Sequence, residues 1–103
     1  MTDWLKQFLS PENFEAAWQK IHRKGSGAGV DGETVDRIAA HSKEVLAQLL
    51  RAVKHGTYRP LPLKPFSIPK PEDGWRHLAV PTVRDRIVQQ ALLSVLHRIL
   101  EPQ

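Results

Sequence analysis

The chain has 103 residues, 41% of them apolar, and a formal net charge of +4, which is the size of one small domain or a piece of one, with a core too modest to cover much of its own surface. It contains no cysteine, so disulfides, thiolate metal sites and cysteine nucleophiles are excluded. Its first residues lack a signal-peptide pattern and no apolar run could span a bilayer, so the expectation is a soluble, cytoplasmic chain with no membrane partner.

Trp4, Leu5, Phe8 and Leu9 recur at helical spacing, with Thr2 placed to cap them. Ser10-Pro11-Glu12 starts a second helix, because serine accepts from orphan amides and proline loses nothing at the first helical position. Phe14, Ala17, Trp18 and Ile21 form its apolar face. It should stop near Lys24, before a loop with glycine at 25, 27, 29 and 32. Thr34 caps a region holding Val35 and Ile38. His41-Ser42 breaks it, with Ser42 expected as the cap of a stronger helix over Val45 to Val53 and Gly56 as its left-handed stop.

Six of the eight prolines fall between residues 58 and 82. Leu61, Leu63, Phe66 and Ile68 are too often separated by proline for a helix. Glu72-Asp73-Gly74 reads as a turn. The pattern predicts a β-hairpin with strands near 63–69 and 75–80, its first strand confined to a sheet edge by proline. Thr82 caps the last helix, with Asp85 expected to reach back to the cap amide as in a capping box. Val83, Ile87, Val88, Ala91, Leu92, Val95, Leu96, Ile99 and Leu100 make a stripe wider than one hairpin and two helices can cover. The fold class is therefore α+β, and the chain ends just after a helix, as a cut would leave it.

Charge is unevenly placed. Residues 1–53 carry seven basic and seven acidic side chains, residues 54–103 eight basic and four acidic, and none of the acids lies between Glu44 and Glu72. A one-sign stretch on a proline-stiffened segment fits either a polyanion partner or a solvated face. Lys70 and Arg76 flank the turn. They are either exposed turn charges or a clamp for phosphate oxygens, arginine through its fork and lysine as a point charge. The glycine loop is either a connector or a place where backbone amides approach a phosphate, without the spacing of a dinucleotide or phosphate-loop motif. Tyr58, Phe66 and Trp75 could stack on bases or pack inward. The histidines have no metal spacing, and no aspartate pair suits a two-metal site, so no catalytic and no metal-binding residue is assigned.

Taken together, "GAGVDGETV" and "LLRAVKHGTYRPLPLKPFSIPKPEDGWRHLAVPTVRDRIVQQALLSVL" closely resemble the amino-terminal part of bacterial group II intron-type reverse transcriptases, or maturases, over about residues 20–102. The resemblance implies a helical extension over 1–56 with a template-closing loop at 25–32, and a fingers hairpin with its following helix over 57–103. It implies that Lys70 and Arg76 face the triphosphate of the incoming deoxynucleotide, and that Lys24, Gly27, Gly29, Arg59, Lys64 and Arg84 contact template or other RNA. Where the family often has Leu-Gly-Ile-Pro-Thr, this chain has Leu78-Ala79-Val80-Pro81-Thr82. The family's metal-binding aspartates lie in a palm that this sequence lacks. The complete enzyme is expected to use magnesium (Mg2+), whereas this chain alone binds no cofactor and is inactive as a polymerase. Its expected partners are RNA, the missing palm and thumb or a second chain, and another copy of itself. The rival reading is a non-catalytic RNA-binding or self-associating module derived from the same family.

Overall fold

The computed structural model describes residues 3–25, 27–69 and 74–100. Seven elements follow in order: α1 (Asp3–Phe8), α2 (Pro11–Lys24), α3 (Val35–Ala39), α4 (Ser42–Lys54), β1 (Lys64–Pro69), β2 (Trp75–Val80) and α5 (Val83–Leu100). The architecture is α+β, a helical cluster carrying a two-stranded sheet. The expected Thr2 cap lies outside the described residues.

Local signals account for most boundaries. Ser10 accepts a hydrogen bond from the Asn13 amide, with Pro11 opening α2. Gly25, at φ +62°, ends that helix by donating its amide to the Ile21 carbonyl. Thr34 caps α3 through the Arg37 amide. After α4 the Gly56 amide bonds to the Val53 carbonyl and the Thr57 amide to the Ala52 carbonyl, the paired bonds of a Schellman stop, with Gly56 at φ +72° supplying the left-handed residue.

One expected boundary shifts by a residue. His41, not Ser42, is the N-cap of α4, and it contributes no side-chain cap bond. Its amide already closes α3 on the Ile38 carbonyl, and its carbonyl accepts from Val45. The residue that ends one helix therefore begins the next, and Ser42 is left inside α4.

The core is built by helices from both ends of the chain. Phe14, Ala17, Trp18 and Ile21 of α2 meet Val83, Ile87, Ala91 and Val95 of α5, with Ile38, Val45 and Leu49 closing the other side. Burying each large apolar side chain contributes about 1.5–3 kcal/mol. The polar Asn13 is buried among them. Its Nδ2 donates to the Phe8 carbonyl at 3.1 Å and the Ala91 carbonyl at 3.0 Å, tying α1, α2 and α5 together.

The stripe of α5 is not used as one surface. Val83, Ile87, Ala91 and Val95, four residues apart in turn, are fully buried, while Leu92, Leu93, Leu96, Ile99 and Leu100 are exposed. Val95 belongs to the chain's own core. The hairpin pairs antiparallel in a register running from Lys64 opposite Val80 to Pro69 opposite Trp75. Gly74 sits at φ +93°, where glycine relieves the strain of a left-handed turn.

Candidate nucleic-acid interface

Three consecutive residues in the first turn of α5 organise the surface around the glycine loop. Thr82 caps the helix, its hydroxyl accepting from the Asp85 amide at 3.1 Å. The Asp85 carboxylate does not complete the expected capping box. Its Oδ2 accepts from the Leu61 amide at 2.9 Å, 24 residues away. The reason is competition between donors: the strap that leads into β1 brings an amide with no strand partner to the helix end, and the carboxylate satisfies it. Asp85 thus anchors residue 61, and with it the approach to the hairpin.

The residues on either side hold the loop. Arg84 Nε donates to Glu33 Oε1 at 2.7 Å and Nη2 to Oε2 at 3.3 Å, while Nη1 reaches Gln48 of α4 at 3.3 Å. Arg86 Nη2 donates to the Gly27 carbonyl. Between these contacts the Gly32 amide bonds to the Gly29 carbonyl, and Asp31 Oδ1 accepts from the Glu33 amide at 3.0 Å, so Val30 and Asp31 form the tip of a defined turn.

The electrostatics follow the geometry. The hydrogen-bonded Arg84 guanidinium holds the Glu33 carboxyl below its usual range, and Glu33 raises Arg84 in return. Burial pushes the Asp85 carboxyl up, with the Leu61 amide opposing, and burial pulls Arg86 down. Asp31, at the turn tip, acts electrostatically on all three α5 residues.

The residues expected to meet RNA are dispersed around this framework. Lys24 is exposed at the end of α2, and Gly27 is exposed in the loop. Gly29 is buried, and a Cβ there would lie 2.6 Å from Thr82 Cα. Its close backbone neighbour is thus the chain itself. Arg59 is exposed on the strap and Lys64 at the start of β1. Arg84 is engaged with Glu33 and Gln48. Arg76 stands on β2 opposite Ile68, and Lys70 lies outside the described residues. Of the aromatic candidates, Tyr58 packs partly buried against the core while Trp75 is exposed.

A second basic surface was not anticipated. Where α2 packs against α5, a groove of about 450 Å³ is lined by Asn13, Ala16, Lys20, Gln90, Leu93, Ser94, His97 and Arg98. It continues past Lys20 and Gln90 to Arg23 and Lys24. Among the described residues no carboxylate lines either part. The signal present in the sequence was Lys20, Arg23 and Lys24 at helical spacing. What places Arg98 and His97 beside them is the packing of α2 on α5, which spacing alone does not reveal.

Among the described residues no three histidine, cysteine, aspartate or glutamate side chains converge as a metal site. Among the described residues no helix is long and apolar enough to cross a membrane.

Comparison with known proteins places this framework. No family model matches the chain. It is 30% identical over 102 residues to the group II intron-encoded protein LtrA of Lactococcus lactis subsp. cremoris, an alignment covering 98% of this chain and 17% of that protein. It is 38% identical over 99 residues to protein YkfC of Escherichia coli, covering 94% of this chain and 26% of that protein. The chain thus spans about a sixth to a quarter of the length of these relatives. Over nearly its whole length it is homologous to group II intron-encoded proteins of the reverse transcriptase and maturase family, and it corresponds to a small part of them.

Proposed function

We propose that this chain is the extension-and-fingers part of an RNA-directed DNA polymerase of the group II intron type, gripping RNA and, within a complete enzyme, the incoming deoxynucleotide. The observation that carries this reading is homology along 98% of the chain to an intron-encoded protein. Chemistry supports it. Lys24, Arg59 and Lys64 are exposed, and no acidic residue lies between Glu44 and Glu72 to neutralise the strap and first strand. Phosphate contacts from such cations release counterions and favour any RNA backbone over a neutral ligand. The groove with Lys20, Arg23, Lys24 and Arg98 offers a second track of the same sign.

In this reading β1 and β2 are the fingers hairpin, residues 25–32 are the loop over the template, and Lys70 and Arg76 meet the triphosphate. Fixed cations there would offset charge on the leaving phosphates without covalent chemistry. The metal ions of the reaction would be held elsewhere in the longer protein. The exposed leucines of α5 would meet another part of that protein or a second copy.

Titration of a single-stranded RNA oligomer at several salt concentrations tests the reading. Binding should weaken as salt rises, with a log–log slope of about −0.7 per phosphate neutralised. Lys24→Ala, Arg59→Ala and Lys64→Ala should each weaken binding to all sequences alike and flatten that slope by about one contact's share. Binding that ignores salt, or that none of the three substitutions alters, would remove these residues from the interface.

A further inference from the structure

We propose that the first turn of α5 is a clamp that sets the position of the glycine loop, with Arg84 and Glu33 as its positioning residues, so that Arg84 serves RNA binding through the loop rather than by touching a phosphate. The second half of this statement rests on the RNA reading above; the first does not.

The geometry commits Arg84. Its Nε and Nη2 hold both oxygens of one carboxylate, and its Nη1 is spent on Gln48. A phosphate could take this guanidinium only by displacing a forked carboxylate at 2.7 Å. That fork is the strongest arrangement a guanidinium makes with a carboxylate. Glu33 is held in turn. Its amide bonds to Asp31, and the next residue, Thr34, caps α3. The loop is therefore tied at both ends to one helical turn, Glu33 to Arg84 and Gly27 to Arg86, while Gly29 rests on Thr82 between them.

The same turn also holds the other half of the interface. Asp85, between the two arginines, bonds to Leu61 at the entrance to the hairpin. One stretch, residues 84–86, thus fixes the loop and the strap relative to each other. A loop that must lie at a set distance from a hairpin, with nucleic acid between them, needs such a common mount. Without it, exposed backbone around four glycines would sample many conformations.

Amide hydrogen exchange on the chain without RNA tests the clamp. The Gly32 and Glu33 amides, bonded to Gly29 and Asp31, report the folded turn. Arg84→Ala and Glu33→Ala should each speed exchange at these amides about three- to fivefold, the scale of a partly exposed ion pair. The doubly reversed variant, Glu33→Arg with Arg84→Glu, should recover most of the protection, while amides of α2 stay protected throughout and report an intact fold. Loop exchange unchanged from the parent in Arg84→Ala would overturn the clamp.

Anisotropy titration with a single-stranded RNA oligomer then separates the two roles of Arg84. A clamp makes Arg84→Ala and Glu33→Ala weaken binding alike, with the reversed pair recovering it. Direct contact makes Arg84→Ala weaken binding and Glu33→Ala strengthen it by freeing a cation, with no recovery on reversal. That outcome would overturn the indirect role. A parent chain that binds no RNA removes the reading on which this arm rests, and the exchange measurement alone then decides the clamp.

Discussion

Gly29 lies directly on the backbone of Thr82: a Cβ built on the glycine would sit 2.6 Å from Thr82 Cα and 2.7 Å from its nitrogen. Neither backbone atom can swing aside as the end of a side chain could. Gly29→Ala should therefore cost about 1–3 kcal/mol, the range for overpacking a close contact. Gly27, two residues earlier, meets nothing within 4 Å, so Gly27→Ala should stay within about 0.5 kcal/mol of the parent. Urea unfolding of the two variants checks the pair. Equal effects at both positions would mean the loop does not rest on α5.

The buried Asn13 amide makes a second, independent test of the core. Asn13→Ala removes the donor to the Phe8 carbonyl and to the Ala91 carbonyl, the second of them 78 residues from Asn13 in sequence. Leaving the Phe8 carbonyl without this partner should cost about 1–3 kcal/mol. Asn13→Asp should cost more near neutral pH, because a carboxylate would face two carbonyl oxygens with nothing to donate. A thermal melt in which the aspartate variant matches the alanine variant would show that water replaces the lost donors.

Asp85 predicts an opposite sign for a charge. Burial raises its carboxyl above the ordinary aspartate range. A group raised in the folded state stabilises below its unfolded pKa of about 4, and that contribution is lost as pH rises through the folded value. Asp85→Asn keeps an oxygen for the Leu61 amide and removes the buried charge, so it should equal or exceed the parent in stability at neutral pH, with the difference shrinking in acid. Asp85→Ala strands the Leu61 amide and should lose about 1–3 kcal/mol at neutral pH. Glu33 runs the other way. Its lowered carboxyl stabilises above its unfolded pKa, and the benefit fades as pH falls through the lowered folded value. Melting curves of parent and variants from neutral to acid pH separate the two contributions.

What the sequence disclosed divides along physical lines. The caps at Ser10 and Thr34, the stop at Gly56 and the hairpin between Lys64 and Val80 are decided by interactions within a few residues, and each was legible. The family motifs were legible too, because residue type and spacing carry them. The use of Gly29 was not. A glycine-rich loop announces close approach to something, and only the fold shows that the neighbour is Thr82. For Arg84 the family resemblance implies an RNA contact and says nothing of a partner within the chain. That partner, Glu33, is 51 residues away in sequence, and no local pattern pairs them. The α5 stripe marked the right residues as apolar but could not say which would find neighbours at home.

That division makes the outer face of α5 a prediction about association. Leu93 is 48% exposed, Ile99 48% and Leu100 70%, with Leu92 and Leu96 beside them at 36% each. A contiguous apolar surface of this kind is uncommon on a chain that works alone, and it lowers its free energy by meeting another apolar surface. Sedimentation velocity over rising concentration should show dimers or larger species. Leu93→Lys and Leu96→Lys should shift the chain to monomer without lowering its melting temperature, since both side chains already face solvent and the buried row is untouched. Val95→Lys is the contrasting substitution. Val95 is fully buried, so an unpaired charge there should unfold the helix packing rather than merely separate copies. If the chain sediments as a monomer at every concentration while the lysine variants melt with the parent, the exposed leucines do not drive association between copies.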